Sequence, residues 1–291
     1  MPHTPDRFPG TREEDEIKMI PQTSDPDEAG KFLYKDGQFK FKDEDDTFNP
    51  KISGYALGYI YKLNLKVVPG NGNQISIQPG RCVDDSGSVL LVLTSAKIVD
   101  LTVSGKNGLD TGSEAANTWY HVWLIKNLTT GEVAGLFSAS KTSPVMPSGF
   151  TVKRRIGAIR NNPWSNIWAF WQSGISNRKE YQYYVMAVGH AVITNGTGSL
   201  VSPDLVDCSS FIPSTSTRGI FLVWEPASEY GVVLSHGDGV ISVSNYPNLA
   251  GGKNPALMLC DLNSAQKIWS CGTGDTIDYN VYVLGYIEDI E

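Results

Sequence analysis

Residues 120–138 contain the run Tyr120-His121-Val122-Trp123-Leu124-Ile125, a polar break at Thr130-Gly131-Glu132, and the run Val133-Ala134-Gly135-Leu136-Phe137-Ser138. Two short runs rich in β-branched and aromatic residues on either side of a glycine-bearing turn predict a β-hairpin. The same texture continues in both directions. Leu63-Asn64-Leu65-Lys66-Val67-Val68 stops at Pro69-Gly70, and Gln74-Ile75-Ser76-Ile77-Gln78 alternates before Pro79-Gly80. Val89-Leu90-Leu91-Val92-Leu93 is continuously apolar, the pattern of a strand buried on both faces. Further strands are expected over 155–159, 167–172, 181–193, 219–224, 231–235, 240–244, 256–260, 267–271 and 280–287. No long window keeps a helical period. Short strands separated by Gly, Pro and Asn turns predict an all-β fold: an extended N-terminal arm followed by one or two antiparallel β-sandwich (jelly-roll-like) domains.

The chain has 291 residues, of which 41% are hydrophobic and only 19% charged. That is ample for a large core and sparse for a large surface, so partners are expected to cover part of the uncharged surface. Lys and Arg number 24 against 31 Asp and Glu, a formal net charge of -7. A nucleic-acid-coating protein would show a basic footprint instead. No apolar run reaches the about 20 residues of a membrane-spanning helix. Met1-Pro2-His3-Thr4-Pro5-Asp6 lacks the basic and apolar regions of a secretory leader. Neither nucleic acid nor an inserted membrane is expected as a partner.

The acid is concentrated in residues 1–50, at Glu13, Glu14, Asp15, Glu16, Asp25, Asp27, Glu28, Asp43, Glu44, Asp45 and Asp46. Prolines at 2, 5, 9, 21, 26 and 50 oppose a long helix or a central strand there. Residues 1–50 therefore read as an acidic anchoring arm. Within it, Phe32, Tyr34, Phe39 and Phe41 alternate around Asp36-Gly37, a strong hairpin signal. A lone hairpin is marginal in water, so this one is expected to pack on the body or on a neighbouring subunit. Residues 51–170 are expected to form a first β domain and 171–291 a second, distal one, because Trp and Tyr become more frequent after Pro163.

The four cysteines, Cys82, Cys208, Cys260 and Cys271, form no C-x-x-C pair and no zinc spacing with histidine. Reduced, buried thiols are the first expectation. Cys260 and Cys271, at the ends of adjacent strand-like runs, are the first pair to consider for a disulfide. His121 and His190 sit within apolar strands and read as satisfied core histidines. His236-Gly237-Asp238-Gly239 has acid–base residues, but Asp-Gly between two apolar runs is what a hairpin turn needs. No Ser lies in a G-x-S-x-G elbow, and no metal or cofactor motif is present, so no cofactor is expected. Lys153, Arg154, Arg155 and Arg160 form the one basic cluster, expected to face solvent or to meet acidic groups of an adjacent subunit. Trp164, Trp168 and Trp171 lie close together. Core packing is the first reading, and a sugar-stacking surface or a tight interface is the second.

One ordered series of motifs goes beyond composition. Ile75-Ser76-Ile77-Gln78-Pro79-Gly80-Arg81 and Gly108-Leu109-Asp110-Thr111-Gly112 precede Trp119-Tyr120-His121-Val122. Phe137-Ser138-Ala139-Ser140, Pro144-Val145-Met146-Pro147-Ser148-Gly149-Phe150, Lys153-Arg154-Arg155-Ile156-Gly157-Ala158-Ile159-Arg160 and Asn166-Ile167-Trp168-Ala169-Phe170-Trp171-Gln172 follow. Over about residues 75–172 the chain resembles a module of tailed-bacteriophage virion appendage proteins, of tail-fibre, collar, baseplate or head-spike type. Pro21-Gln22-Thr23-Ser24-Asp25-Pro26 and the hairpin after it are similar to N-terminal segments of phage fibre and decoration proteins. The resemblance implies a virion component, frequently a homotrimer, attached to other virion proteins through residues 1–50. Three functions follow in order: a structural appendage that is not an enzyme, a receptor-binding protein that recognises host surface glycan through its C-terminal β domain, and, last, a polysaccharide-degrading enzyme.

Overall fold

The structure, a computed structural model, describes the backbone of residues 12–13, 16–19, 32–35, 38–42 and 48–49, and residues 58–184, 190–197, 199, 202–224, 231–238, 249–251, 255–272 and 279–290. The chain forms two compact units, Met1–Ala56 and Leu57–Glu291.

In the first unit, β1 (Arg12–Glu13), β2 (Glu16–Met19), β3 (Phe32–Lys35), β4 (Gln38–Lys42) and β5 (Phe48–Asn49) form one antiparallel sheet in sequence order. The hairpin expected around Asp36-Gly37 is its centre, with Phe32 opposite Phe41 and Tyr34 opposite Phe39. The expectation of a mainly extended arm gives way to a five-stranded meander. Prolines can stand between short strands without disturbing a ladder.

The second unit is built from β6 (Ile60–Lys62), β7 (Leu65–Val67), β8 (Gln74–Ile77), β9 (Gly80–Val83), β10 (Leu90–Leu93), β11 (Lys97–Asp100), β12 (Thr118–Lys126), β13 (Val133–Ser138), β14 (Val152–Asn161) and β15 (Phe170–Ser173). It continues with β16 (Arg178–Tyr183), β17 (Ala191–Gly196), β18 (Asp204–Asp207), β19 (Arg218–Trp224), β20 (Gly231–His236), β21 (Leu249–Gly251), β22 (Ala256–Asp261), β23 (Lys267–Gly272) and β24 (Tyr279–Asp289). The long sheet runs β11-β8-β7-β15-β16-β24-β19-β22, with β17 also on β24. Three smaller sheets, β10-β9-β6, β13-β12-β14 and β18-β23-β20-β21, complete the unit. All these strand pairs are antiparallel, and no α-helix occurs among the described residues.

Several expectations change here. No boundary falls near residue 170, because β15 pairs with β7 on one side and β16 on the other. One hydrophobic core extends from Ile60 to Ile290. β10 is buried on one face only, since it is an edge strand and Val92 points outward. The expected strand over 181–193 is two strands, β16 and β17, and residues 240–244 lie outside the described residues. The 120–138 hairpin stands as expected, with His121 opposite Ser138 and Lys126 opposite Val133.

β12 explains why this hairpin organises the unit. Its residues are buried on both faces. Tyr120, Val122 and Leu124 join the main core. Trp123 and Ile125 form a second cluster with Ala134, Leu136 and Phe150. Phe150 reaches that cluster from a turn in which its N–H donates to Pro147 O at 3.1 Å and Gly149 takes φ +82°, a conformation suited to glycine.

The other side of β14 is an edge: Asp85 and Trp168 N–H groups meet Lys153 O and Arg160 O near its ends, and side chains close it at Ala158. Tyr181 and Tyr286, opposite each other on β16 and β24, stack with ring centroids 4.4 Å apart. Ala158 N–H donates to the Tyr181 hydroxyl at 3.3 Å, and the Tyr286 hydroxyl donates to Ala158 O at 3.0 Å. Burial holds both phenols well above their ordinary pKa. A Cβ on Gly157 would stand 2.1 Å from the Tyr181 hydroxyl, so only glycine fits there.

A buried lysine performs a similar service at the β6–β7 turn. Lys62 and Leu63 both take φ 59°, which costs non-glycine residues roughly 1–2 kcal/mol each. Lys179 Nζ donates to Lys62 O at 2.6 Å, to Asn64 Oδ1 at 2.8 Å and to Gly174 O at 2.9 Å. Its ammonium is thus fully satisfied, although burial lowers its pKa to about 8.

Tyr286→Phe is expected to lower unfolding free energy by about 1–2 kcal/mol, since Ala158 O loses its donor. Gly157→Ala is expected to cost about 1–3 kcal/mol through overpacking against Tyr181. Urea unfolding followed by near-UV circular dichroism checks both. Wild-type midpoints for the two variants would refute the role of this contact.

Candidate functional site

The basic cluster does not form an outward patch. Arg154 and Arg155 are both buried, although as neighbours on β14 they leave it on opposite faces: Arg154 lies opposite Leu124 and Arg155 opposite Trp123. Arg154 donates to Ile290 O at 3.2 Å and lies 3.9 Å from Asp85. Arg155 pairs with Glu288, which is itself fully buried. Lys153 reaches Asp85 at 2.5 Å and sits over the Trp123 ring at 4.7 Å. Arg160 donates to Asn117 O at 2.5 Å and lies over Trp119 at 5.7 Å. The expected acidic partners therefore come, for Lys153, Arg154 and Arg155, from the same chain.

The three tryptophans separate. Trp168 stacks on Phe211 with centroids 5.1 Å apart and meets the ring of His190 at 4.5 Å. It belongs to an aromatic cluster with Tyr183. Trp164 and Trp171 are 76% and 49% exposed and remain available to a partner. Trp171 stands on the outer face of β15, between Lys66 of β7 and Gln182 of β16.

All four cysteines are free and buried. Cys260 and Cys271 are not joined: β22 closes the long sheet while β23 lies inside another. Burial pushes the Cys260 thiol up to about 12 and the Cys271 thiol up to about 11. His236 and Asp238 follow β20, where Asp238 N–H donates to His236 Nδ1 at 3.2 Å, and the second run of the hairpin expected there lies outside the described residues. Among the described residues, no group of three His, Cys, Asp or Glu is placed to hold a metal ion.

The most site-like arrangement is a polar cleft of about 570 Å³ lined by Lys141, Thr142, Arg155, Ser214, Thr215, Thr217 and Asp289. Arg155 comes from β14, Asp289 from the end of β24, Lys141 and Thr142 from the loop between β13 and β14, and Ser214, Thr215 and Thr217 from the turn that leads into β19. That turn is well held. Ser216 N–H donates to Pro213 O at 3.0 Å, and the Ser216 hydroxyl lies 2.6 Å from Ile287 O. Behind the wall, the Thr215 hydroxyl donates to Glu288 Oε1 at 2.6 Å, the same oxygen that receives Arg155. Glu288 Oε2 has no protein donor. His121 is buried nearby with Nδ1 unpartnered. Burial, and then the cations Arg155 and Lys141, lower its pKa to about 3.

Of these residues, only Arg155 and His121 are evident as candidates in the sequence. Lys141, Thr142 and Asp289 are separated along the chain by too many residues for spacing to link them. The run Ser214-Thr215-Ser216-Thr217 after Pro213 is the one local signal, a hydroxyl-dense turn. Glu288 and Asp289 stand together at the end of a mainly apolar strand, and nothing in the sequence says which of the two turns inward.

No protein-family model matches this chain, and no curated protein matches its sequence significantly.

Two outcomes test the buried part of the site. Arg155→Met alone or Glu288→Leu alone is expected to cost about 3–5 kcal/mol, because each strands a buried partner, whereas the Arg155→Met/Glu288→Leu double variant costs less than either. Additive single costs in a chemical-denaturation cycle would refute the coupling. His121 takes up a proton near 6.5 when unfolded and only near 3 when folded. In that window the unfolded chain binds more protons, so stability falls as pH drops and is fully kept above it. His121→Gln is expected to flatten this part of the stability–pH curve, read from urea midpoints across the window.

Proposed function

We propose that this chain is a structural component of a tailed-phage virion, non-catalytic, carried on the particle through residues 1–50 and self-associated, as a homotrimer, through its β body. The outermost strand of the long sheet supports the assembly part of this reading. β22 alternates, with Met258 and Cys260 inward and Leu257 and Leu259 outward. The two leucines are 67% and 45% exposed. Soluble proteins guard such edges with charges, prolines or bulges. Here the single charge, Asp261, is already held by Arg218 at 2.5 and 3.1 Å. Among the described residues, no strand pairs with the free side of β22. Trp224 adds an exposed aromatic ring on the neighbouring strand.

The phage part of the reading rests on the ordered motif run over residues 75–172. Its residue choices have physical reasons in this fold. Gly149 turns the chain so that Phe150 can fill the second cluster. Gly157 leaves room for Tyr181, and Arg155 answers Glu288. A module retained for its packing suits a scaffold in many appendages. We read the body as sandwich-like, with the inward faces of the antiparallel sheets meeting at one core. Glycan recognition on a host surface is the second reading, favoured by the exposed rings of Trp164 and Trp171 and by the polar cleft.

The Leu257→Lys/Leu259→Lys variant is expected to sediment as a monomer while keeping the wild-type circular dichroism spectrum. The unaltered protein is expected to sediment as a trimer. Removing residues 1–50 is expected to abolish incorporation into particles and leave self-association intact. A monomeric wild-type protein, or a variant that still assembles, would sink the proposal.

A further inference from the structure

The cleft beside Arg155 shares no residue with the β22 edge on which the assembly reading rests. We propose that it binds one residue of an acidic sugar, a hydroxylated ring bearing a single carboxylate. This deepens the glycan-recognition reading and rests on it only for the source of the sugar.

Every lining side chain carries a hydroxyl or a charge. Four of its seven side chains, Thr142, Ser214, Thr215 and Thr217, carry hydroxyls, and none is aromatic or aliphatic. The Thr142, Ser214 and Thr217 hydroxyls can donate and accept, and Thr215, whose O–H is given to Glu288, can still accept, which matches the ring hydroxyls of a sugar. The volume of about 570 Å³ lies within the roughly 300–1,000 Å³ usual for small-ligand sites.

Charge sets the sign of the ligand. Arg155 is paired with Glu288, and Asp289 with Arg178 at 3.4 Å. Lys141 is exposed, and among the described residues no carboxylate pairs with it. One cation is therefore left uncompensated, which suits one carboxylate. Asp289 on the lining accepts a ring hydroxyl and repels a second negative charge, so a phosphate dianion is disfavoured. Arg155 cannot swing away from the cleft without leaving Glu288 buried and unpaired. The cleft is thus formed before the ligand arrives, which limits the entropy lost on binding.

The test uses the full chain and three probes: methyl glucuronide, methyl glucoside and inorganic phosphate. Saturation-transfer NMR and calorimetry are expected to show glucuronide binding, glucoside binding about tenfold weaker, and no competition by phosphate. Lys141→Ala is expected to weaken glucuronide about tenfold, and Lys141→Arg to retain it. Ser214→Ala is expected to weaken both sugars. Lys106→Ala, which removes a distant surface cation paired with Glu132 at 2.9 Å, is expected to change nothing. Absent glucuronide binding, equal binding of the two sugars, competition by phosphate, or equal losses in Lys141→Ala and Lys106→Ala would each overturn the proposal. Sedimentation and particle incorporation are read separately, so a cleft that fails beside intact assembly overturns this inference alone.

Discussion

Two stacked tyrosines on neighbouring strands hold the N–H and the C=O of a single alanine. Tyr181 and Tyr286 reach Ala158 at the open side of β14, where a backbone edge inside the protein would otherwise lack partners. A buried, unpaired backbone group costs about as much as a lost hydrogen bond. A further strand would satisfy the edge but would merge two sheets into one. The phenols satisfy it across a gap, so β14 can pack on the long sheet and keep its own pairing with β12. The β12–β14 ladder shifts register between Val122 and Trp123, opposite Gly157, beside this contact. Gly157 is the corresponding concession, since any side chain there would displace Tyr181.

The inward charges follow from the same seam. With β14 pinned at Ala158, Arg154 and Arg155 are buried on its two faces. A buried guanidinium must find a carboxylate or carbonyl. Glu288 on β24 and Ile290 O supply them. Glu288 lies two residues beyond Tyr286 on the same strand, and so on the same face. The ring contact and the ion pair are therefore set by one register. The cleft is the outer side of this arrangement: Arg155 forms its wall because Glu288 fixes the guanidinium from behind, and Asp289, next in sequence, points the other way to the lining.

Much of the strand pattern is legible in the sequence, because it depends on neighbours two residues apart. Gln74–Gln78 alternates and β8 alternates, with Ile75 and Ile77 inward. The 120–138 hairpin and the Phe32–Phe41 hairpin are local, each closed by its own turn. The burial of Val89–Leu93 was less legible: five apolar residues suggest two covered faces, yet β10 lies at an edge and Val92 is exposed. Sheet membership is a property of distant segments. Nothing near Phe170 announces that it will sit one strand from β7, more than a hundred residues in sequence from β24.

The sequence by itself determined the fold class, the position of most strands and the acidic character of residues 1–50, because alternation, turn chemistry and composition act over a few residues. It also marked Arg155 and His121 as notable. Only the tertiary structure decided that the basic cluster faces inward, that Trp168 is packed while Trp164 and Trp171 are not, and that Cys260 and Cys271 stand in different sheets. It alone brought Lys141, Ser214, Thr217 and Asp289 to one cleft. The reason is physical: a strand's periodicity says which residues share a face, and the energy of burying that face against a distant partner decides what it meets.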